Sequence, residues 1–141
     1  MPRADFYVIV KPRFRAQPLL LVCELARKGY DANQPLLILA ESLKQAETID
    51  DLLWEFDPEA YLPHQIVGTD DDEDITPIVI AAPEHATASR PLIINLRQQA
   101  WEGQCQRILE VVPADPNARM PLRQRWRVYQ QRGLDVAKYD M

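Results

Sequence analysis

Runs of hydrophobic residues predict five β-strands. Each run is four or five residues long and almost continuously apolar, which is typical of strands in a parallel sheet that is covered on both faces. The predicted strands cover residues 6–10, 36–40, 78–81, 92–96 and 108–112.

Two helices are predicted in the first half of the chain, where the apolar spacing changes from a strand run to that of a helix. Pro18 suits the first turn of a helix, and apolar residues then recur at helical intervals as far as Tyr30. Ser42 followed by Gln45 has the pattern of a capping box, which predicts the start of a second helix after the second strand.

A third helix is predicted over residues 121–132, and Gly133 followed by Leu134 indicates a glycine cap at its end. Strands and helices alternate at the start of the chain, and strands with short connections follow. This order predicts the α/β class, as a three-layer Rossmann-like fold with a mostly parallel five-stranded sheet and helices on both faces. The 141 residues are expected to form a single domain, 1–141.

Composition predicts a cytoplasmic protein. The hydrophobic content of 47% is enough for a packed core. The first residues have no signal-peptide pattern, and no apolar stretch has the length that crosses a bilayer. We therefore expect no association with a membrane.

The residues that most enzymes and nucleotide-binding proteins require are missing from the sequence. The turn after the first strand, residues 11–15, has no glycine and cannot form a dinucleotide-binding loop, and the four glycines are too scattered for a phosphate-binding loop. His64 and His85 lack metal-ligand companions, and His64 is expected to fix a loop through a hydrogen bond. We expect no catalytic residues, cofactor or metal. The alternative is an enzyme or nucleotide-binding protein on a degenerate Rossmann-like sheet.

Charge is distributed unevenly along this acidic chain, whose formal net charge is −5. Residues 45–89 contain twelve acids and no lysine or arginine, and the acidic run at residues 70–74 is expected to be a mobile, solvated loop. Residues 119–132 contain five arginines and no acid. A local basic helix on an acidic protein predicts a small anionic partner such as an acidic peptide, and duplex DNA is not expected to bind.

Trp54 lies on the charged side of the second helix, about 140° from the middle of its apolar stripe. Tryptophan is enriched among the residues that dominate protein interfaces, so this position predicts a binding surface. The alternative is that the following loop, residues 56–62, folds back and covers the ring.

The last helix is expected to turn Leu122, Trp126 and Tyr129 toward the sheet. Arg123 and Arg127 then lie on the flank beside Trp126, where guanidinium groups can hold carboxylates in pairs of hydrogen bonds. The alternative is an ordinary solvated helix face.

Short motifs along nearly the whole chain carry a family resemblance through their order and spacing. They are Phe6–Tyr7, Leu21–Ala26, Leu36–Ala40, Lys44–Ala46, Leu53–Trp54, Pro63–His64, Gly68, Leu96–Arg97, Val111–Pro113, Arg125–Tyr129 and Gly133. Together they make the chain resemble the chi subunit of bacterial DNA polymerase III, an accessory protein of the clamp loader.

The resemblance implies a noncatalytic adaptor with two binding surfaces. One binds the acidic C-terminal tail of the single-stranded DNA-binding protein, and the matching positions are Val112, Arg119, Arg123, Trp126 and Arg127. The other binds the psi subunit, or a helicase at the same surface, and its matching positions are Trp54, Pro58, Tyr61 and Leu62. Family members often have lysine or tyrosine where this chain has Arg119 and Trp126, which keeps the charge and the aromatic character.

Overall fold

A parallel β-sheet with helices on both faces forms the protein in the computed structural model, which describes residues 2–56, 62–68, 76–85 and 87–141. Within these residues the sheet has seven strands in the order β3-β4-β2-β5-β6-β1-β7, and every neighbouring pair is parallel. The strands are β1 Arg3–Val8, β2 Leu36–Leu39, β3 His64–Ile66, β4 Ile78–Ala81, β5 Leu92–Asn95, β6 Arg107–Val112 and β7 Asp135–Asp140.

Helices connect β1 to β2, β2 to β3 and β6 to β7, whereas no helix of the described residues lies between β3 and β6. They are α1 Pro12–Ala16, α2 Pro18–Asp31, α3 Leu43–Glu55 and α4 Arg119–Gln131, and a 3₁₀ turn at Pro116–Ala118 leads into α4. Helices α1 to α3 cover one face of the sheet, here called the first face, and α4 covers the second face.

The predicted class, the parallel sheet and the helices on both faces are confirmed, but the predicted count of five strands was wrong. The two strands that the hydrophobic pattern did not predict, β3 and β7, are the edge strands. An edge strand is not buried on both sides, so its sequence need not be a continuous apolar run. β7 is mostly exposed and carries Asp135, Lys138 and Asp140, charges of the kind that discourage further strands from pairing with an edge.

The first face has an apolar core under α2 and α3. Leu21, Val22 and Leu25 of α2 and Ile49 and Leu53 of α3 pack against alternate residues of the strands. Strand residues that alternate with them face the other way, as the period of two demands. The thiol of Cys23 lies in this core, and burial raises its pKa to about 12.

Gly29 lets α2 approach the sheet closely. A Cβ atom at this position would lie 2.7 Å from a methyl carbon of Leu92 and 2.8 Å from one of Leu36. Both distances are shorter than a carbon–carbon contact allows, so a larger residue would push the helix away from β5 and β2.

The second face has its own core, formed by α4 and the segment between β5 and β6. Tyr129 is fully buried there against Phe6, and Leu122 and Trp126 pack partly buried beside them. The predicted orientation of Leu122, Trp126 and Tyr129 toward the sheet is therefore confirmed.

The predicted helix ends are also confirmed. The Ser42 side chain accepts a hydrogen bond from the backbone N–H of Gln45 at 3.1 Å, and the Gln45 side chain accepts one from the N–H of Glu41 at 2.7 Å. Gly133 has a φ of +84°, and the N–H of Leu134 donates to the carbonyl of Tyr129 at 3.0 Å, which is the Schellman arrangement. The acidic run at residues 70–74 lies outside the described residues.

Candidate functional site

A crevice opens where the chain leaves neighbouring strands in opposite directions. After β1 it turns onto the first face and enters α1, whereas after β6 it turns onto the second face and enters α4. β1 and β6 are adjacent in the sheet, so the two connections diverge at their carboxyl ends. Such a topological switch point is where open parallel sheets commonly bind their ligands.

A cavity of about 620 Å³ occupies this crevice. Its apolar part includes Val8, Val112 and Leu122, and side chains from both adjoining helices and from β7 complete it. The charged lining residues are the cations Arg15, Arg119, Arg123 and Lys138 and the acids Asp115 and Asp140. An apolar floor with a surplus of cations at its rim fits a ligand that is both anionic and apolar.

Helix α4 presents Arg119 and Arg123 to the cavity from its first two turns. Both side chains are exposed, and neither forms an ion pair with any residue in the described part of the chain. The first turn of α4 contains no acidic residue that could neutralise them. Their positive charge is therefore available to a ligand.

A buried polar network fixes the position of α4 on the sheet. Glu110 of β6 is fully buried and accepts a hydrogen bond from Arg125 Nε at 2.8 Å. Its other carboxylate oxygen accepts from Asn95 Nδ2 at 2.8 Å and from the Tyr129 hydroxyl. Every donor in this network lies on an element next to β6, so the network sets the rotation of α4 about its own axis.

Burial has the largest influence on the pKa values of Glu110 and Tyr129 in this network. It raises the pKa of Glu110 above its ordinary value, although the charge of Arg125 and the three hydrogen bonds act in the opposite direction. Burial and the neighbouring Glu110 carboxylate also raise the pKa of Tyr129, which keeps its hydroxyl protonated and able to donate at neutral pH.

The same helix also holds the segment between β5 and β6. Arg125 Nη1 donates to the carbonyl of Gln98 at 3.1 Å, and the Trp101 backbone N–H donates to the Tyr129 hydroxyl at 3.0 Å. Arg132 donates to the carbonyl of Trp101. Two side chains of α4 and that of Arg132, which follows it directly, thus tie down a segment with no regular structure of its own.

A second candidate surface surrounds Trp54 at the end of α3. The Trp54 side chain is 54% exposed, and its ring lies 4.7 Å from the His64 ring between centroids. His64 is buried and its ring nitrogens contact the carbonyl of Leu62 at 2.6 Å and that of Asp50 at 3.1 Å. The predicted structural role of His64 is confirmed, since it joins α3 to the segment that leads into β3.

Comparison with known proteins places this architecture in one family. The family model described as "DNA polymerase III chi subunit, HolC" matches residues 1–137. The chain belongs to the chi subunit family of DNA polymerase III. Chi is a noncatalytic accessory subunit of the replicative polymerase, so the resemblance inferred from the sequence motifs and the expectation of a noncatalytic protein are both confirmed.

Curated relatives agree with the family match over most of their length. The DNA polymerase III subunit chi of Pseudomonas aeruginosa is 30% identical over 140 residues, which covers 96% of this chain and 94% of that protein. The subunit chi of Escherichia coli is 28% identical over 119 residues, covering 82% of this chain and 80% of its own. That of Haemophilus influenzae is 29% identical over 120 residues.

A solved structure supports the fold alone. A Saccharomyces cerevisiae Dbp5 variant, bound to Nup159, a Gle1 variant, IP6 and ADP, superposes with a TM-score of 0.67 at 13% identity. The match covers 97% of this chain but 41% of the other one. Among the described residues of this chi-family chain, no helix has the length and apolar character needed to cross a membrane.

The structure brings together three of the five residues that the chi resemblance assigned to the tail site. Val112, Arg119 and Arg123 line the cavity. Trp126 and Arg127 do not line it: the Trp126 ring packs on Phe6 with 5.2 Å between centroids, and Arg127 is exposed on α4. The apolar part of the cavity that the two arginines line is therefore formed by residues such as Val8, Val112 and Leu122, without the Trp126 ring.

Of the residues assigned to the psi or helicase surface, Trp54 is exposed and Leu62 is not. Leu62 is 2% exposed and belongs to the core of the first face, so its side chain is not available to a partner. Pro58 and Tyr61 lie outside the described residues.

Sequence reasoning missed the buried network, although a signal for it was present. Glu110 and Asn95 interrupt the apolar runs at residues 108–112 and 92–96, and a buried polar group in a central strand must find a partner. Arg125 is the counterpart of Glu110, and it sits on the buried side of α4 among arginines that face solvent. Only the packing of α4 on the sheet determines that Arg125, and not another arginine of this helix, pairs with Glu110.

Proposed function

We propose that this chi-family protein is a cytoplasmic replication adaptor that binds the acidic C-terminal tail of the single-stranded DNA-binding protein. The observation that supports the proposal is the cavity at the carboxyl ends of β1 and β6, where Arg119 and Arg123 stand beside an apolar floor. An acidic peptide with a hydrophobic terminal residue matches both parts of this lining.

Charge brings the tail to the cavity. The chain has a net charge of −5, yet the lining of the cavity contains four cations and two acids. A positive patch on an acidic protein directs an anionic partner to one place and repels it elsewhere.

Arginine geometry then orients the tail. A guanidinium group can donate two parallel hydrogen bonds to one carboxylate, which fixes direction as well as attracting charge. Arg119 and Arg123 are one helical turn apart on α4, so they can hold two carboxylates of an extended peptide or grip the terminal one together. The hydrophobic terminal side chain would then lie against Val112 and Leu122, where burial of apolar surface adds affinity.

Titration of a fluorescent acidic peptide that ends in an aromatic residue tests this function. Arg123→Glu is expected to weaken binding by roughly tenfold or more, since hydrogen bonds to charged groups contribute about 1.5–3 kcal/mol. Lys44→Glu is the matched control, because Lys44 is exposed on α3 and does not line the cavity. Equal affinities of the wild type and Arg123→Glu would show that the peptide does not bind at this site.

Salt provides an independent check of the same site. Exposed charge contacts are screened when the Debye length falls below about 8 Å, so the affinity of the wild type should decrease as salt rises above the physiological range. The affinity that remains for Arg123→Glu should depend less on salt. An affinity of the wild type that is unchanged by salt would mean that apolar contacts alone hold the peptide.

We also propose that the Trp54 surface links the protein to the clamp loader through the psi subunit, or to a helicase at the same place. The supporting observation is a large aromatic side chain that is 54% exposed and rests on the buried His64 ring. A rigidly supported tryptophan can bury much area with little loss of conformational freedom, as interface anchors do.

Trp54→Ala tests the second surface. The substitution should cost about 2 kcal/mol or more of partner binding, as truncation of an aromatic anchor does. It should leave the affinity for the acidic tail peptide unchanged, because Trp54 is absent from the cavity lining. Normal capture of psi and helicase by the variant would show that this surface serves neither of them.

A further inference from the structure

The tail cavity has two cationic residues that do not come from α4. Arg15 lies on α1, on the first face of the sheet, and Lys138 lies on the edge strand β7. Neither was among the residues that the chi resemblance assigned to tail binding. Together with Arg119 and Arg123 they place cations on three different elements around one apolar floor.

The positive charges of Arg15 and Lys138 are not strongly neutralised by carboxylates in the described part of the chain. Arg15 is exposed and forms no ion pair with the residues that the structure describes, whereas its neighbour Arg13 pairs with Glu24. Lys138 is 56% exposed, and its nearest carboxylate, that of Asp140, lies 3.8 Å away at the limit of an ion pair. Such a long, exposed pair contributes little and can yield to a ligand.

Backbone hydrogen bonds fix the elements that carry Arg15 and Lys138 relative to each other. The carbonyl of Met141 accepts hydrogen bonds from the N–H of Val10 at 2.5 Å and of Lys11 at 2.8 Å, and its own N–H donates to Val8 at 2.8 Å. The end of β7 is thereby fastened to the segment between β1 and α1. The backbones that carry Arg15 and Lys138 are therefore fixed relative to the apolar floor before any ligand arrives.

We infer that Arg15 and Lys138 bind carboxylates of the acidic tail that lie beyond the reach of α4. The inference rests on the proposed function and extends it. It requires a peptide that crosses the carboxyl ends of β6, β1 and β7 with acidic residues spread along its length. A peptide with one carboxylate would engage the α4 arginines and lose the other two contacts.

Neutralising substitutions measure the contribution of each residue. Arg15→Gln and Lys138→Gln should each weaken binding of the acidic peptide by roughly two- to fivefold, the range expected for one exposed charge pair. The double variant should lose about tenfold if the two sites act independently. Lys44→Gln removes the same charge outside the cavity and should change the affinity by less than about twofold.

Asp140→Asn provides a test of opposite sign. Asp140 lines the cavity and is the nearest carboxylate to Lys138, so its removal should tighten peptide binding by roughly twofold. Tighter binding by this variant, with weaker binding by Lys138→Gln, is the pattern that the inference predicts. Weaker or unchanged binding by Asp140→Asn would contradict the role of Lys138.

A double-mutant cycle separates direct contact from attraction at a distance. Each acid of the peptide is replaced in turn by its amide and titrated against the wild type, Arg15→Gln and Arg123→Gln. Arg15 should couple to a different acid from the one that couples to Arg123. Uniform small coupling of Arg15 to every acid would show steering without contact and overturn the inference.

The results distinguish a failure of the proposed function from a failure of the inference about Arg15 and Lys138. If the wild type fails to bind the peptide, or if Arg123→Glu binds it equally well, the proposed function fails. If Arg123→Glu loses the peptide while Arg15→Gln and Lys138→Gln bind it as the wild type does, the site belongs to α4 alone and only the further inference is wrong.

Discussion

Helices α2 and α3 are anchored by apolar side chains, whereas α4 is anchored by polar ones. Every buried residue of α2 and α3 is apolar, and they include Leu21, Val22, Ile49 and Leu53. The buried residues of α4 are Arg125 and Tyr129, and both bind Glu110. The two faces of one sheet therefore hold their helices by different physical means.

The difference shows how a helix rich in arginine can be fixed on an acidic protein. A broad apolar stripe needs no particular partner and tolerates small rotations of the helix. A buried ion pair with hydrogen bonds specifies one rotation, because a misplaced charge in the core is costly. We infer that the network around Glu110 holds α4 so that Arg119 and Arg123 face the cavity.

Loss of the buried cation should have the largest effect. Arg125→Ala leaves Glu110 without its charged partner and should reduce the free energy of unfolding by about 3–5 kcal/mol. Arg127→Ala is the matched control on the same helix, since Arg127 is exposed and its removal should change stability by less than about 0.5 kcal/mol. Urea unfolding of both variants measures the difference. Similar losses would mean that the network does not anchor α4.

Removal of both charged partners sharpens the same comparison. The double variant Glu110→Gln with Arg125→Met leaves no charge in this network and should recover much of the stability that Arg125→Ala loses. Its affinity for the acidic peptide should stay below that of the wild type, because the ion pair that specifies the rotation of α4 is then absent. Full recovery of peptide affinity would show that apolar packing alone orients the helix.

Truncation on the first face should be costly for stability without affecting peptide binding. Leu53 is 2% exposed under α3, and Leu53→Ala should cost about 3 kcal/mol through lost burial and the cavity it leaves. At a temperature where the variant is folded, its affinity for the acidic peptide should equal that of the wild type. A loss of affinity would indicate that the two faces are coupled through the sheet.

Substitutions at the ends of α4 and α2 should have the smallest effects on stability. Gly133 after α4 has a φ of +84° and Asn33 after α2 has a φ of +57°, so both helices end in the left-handed region. Gly133→Ala should cost about 1 kcal/mol from backbone strain alone, because an added Cβ would meet no other atom within 4 Å. Asn33→Gly should change stability by a few tenths of a kcal/mol, since asparagine already tolerates this conformation. Thermal unfolding of the two variants measures both effects, and an equal cost at the two positions would contradict this reasoning.

The sequence by itself determined the central strands, the helices α2, α3 and α4 and the chi family, whereas α1 lies where a turn was expected from the sequence. Continuous apolar runs, helical spacing and the caps at Ser42 and Gly133 are local signals that can be seen without knowing the fold. The same signals could not predict β3 and β7, because an edge strand is specified by its neighbour in the sheet and not by an apolar run of its own.

Only the tertiary structure decided which arginines of α4 line the cavity and which one is buried in the core. Arg125 lies only two residues after Arg123 in the sequence, but it pairs with Glu110 in the core of the second face, whereas Arg119 and Arg123 line the cavity. Arg15 and Lys138 are distant from α4 and from each other in the chain, and they line one cavity because β1 lies between β6 and β7. That adjacency depends on the pairing of strands far apart in sequence, which local patterns do not record.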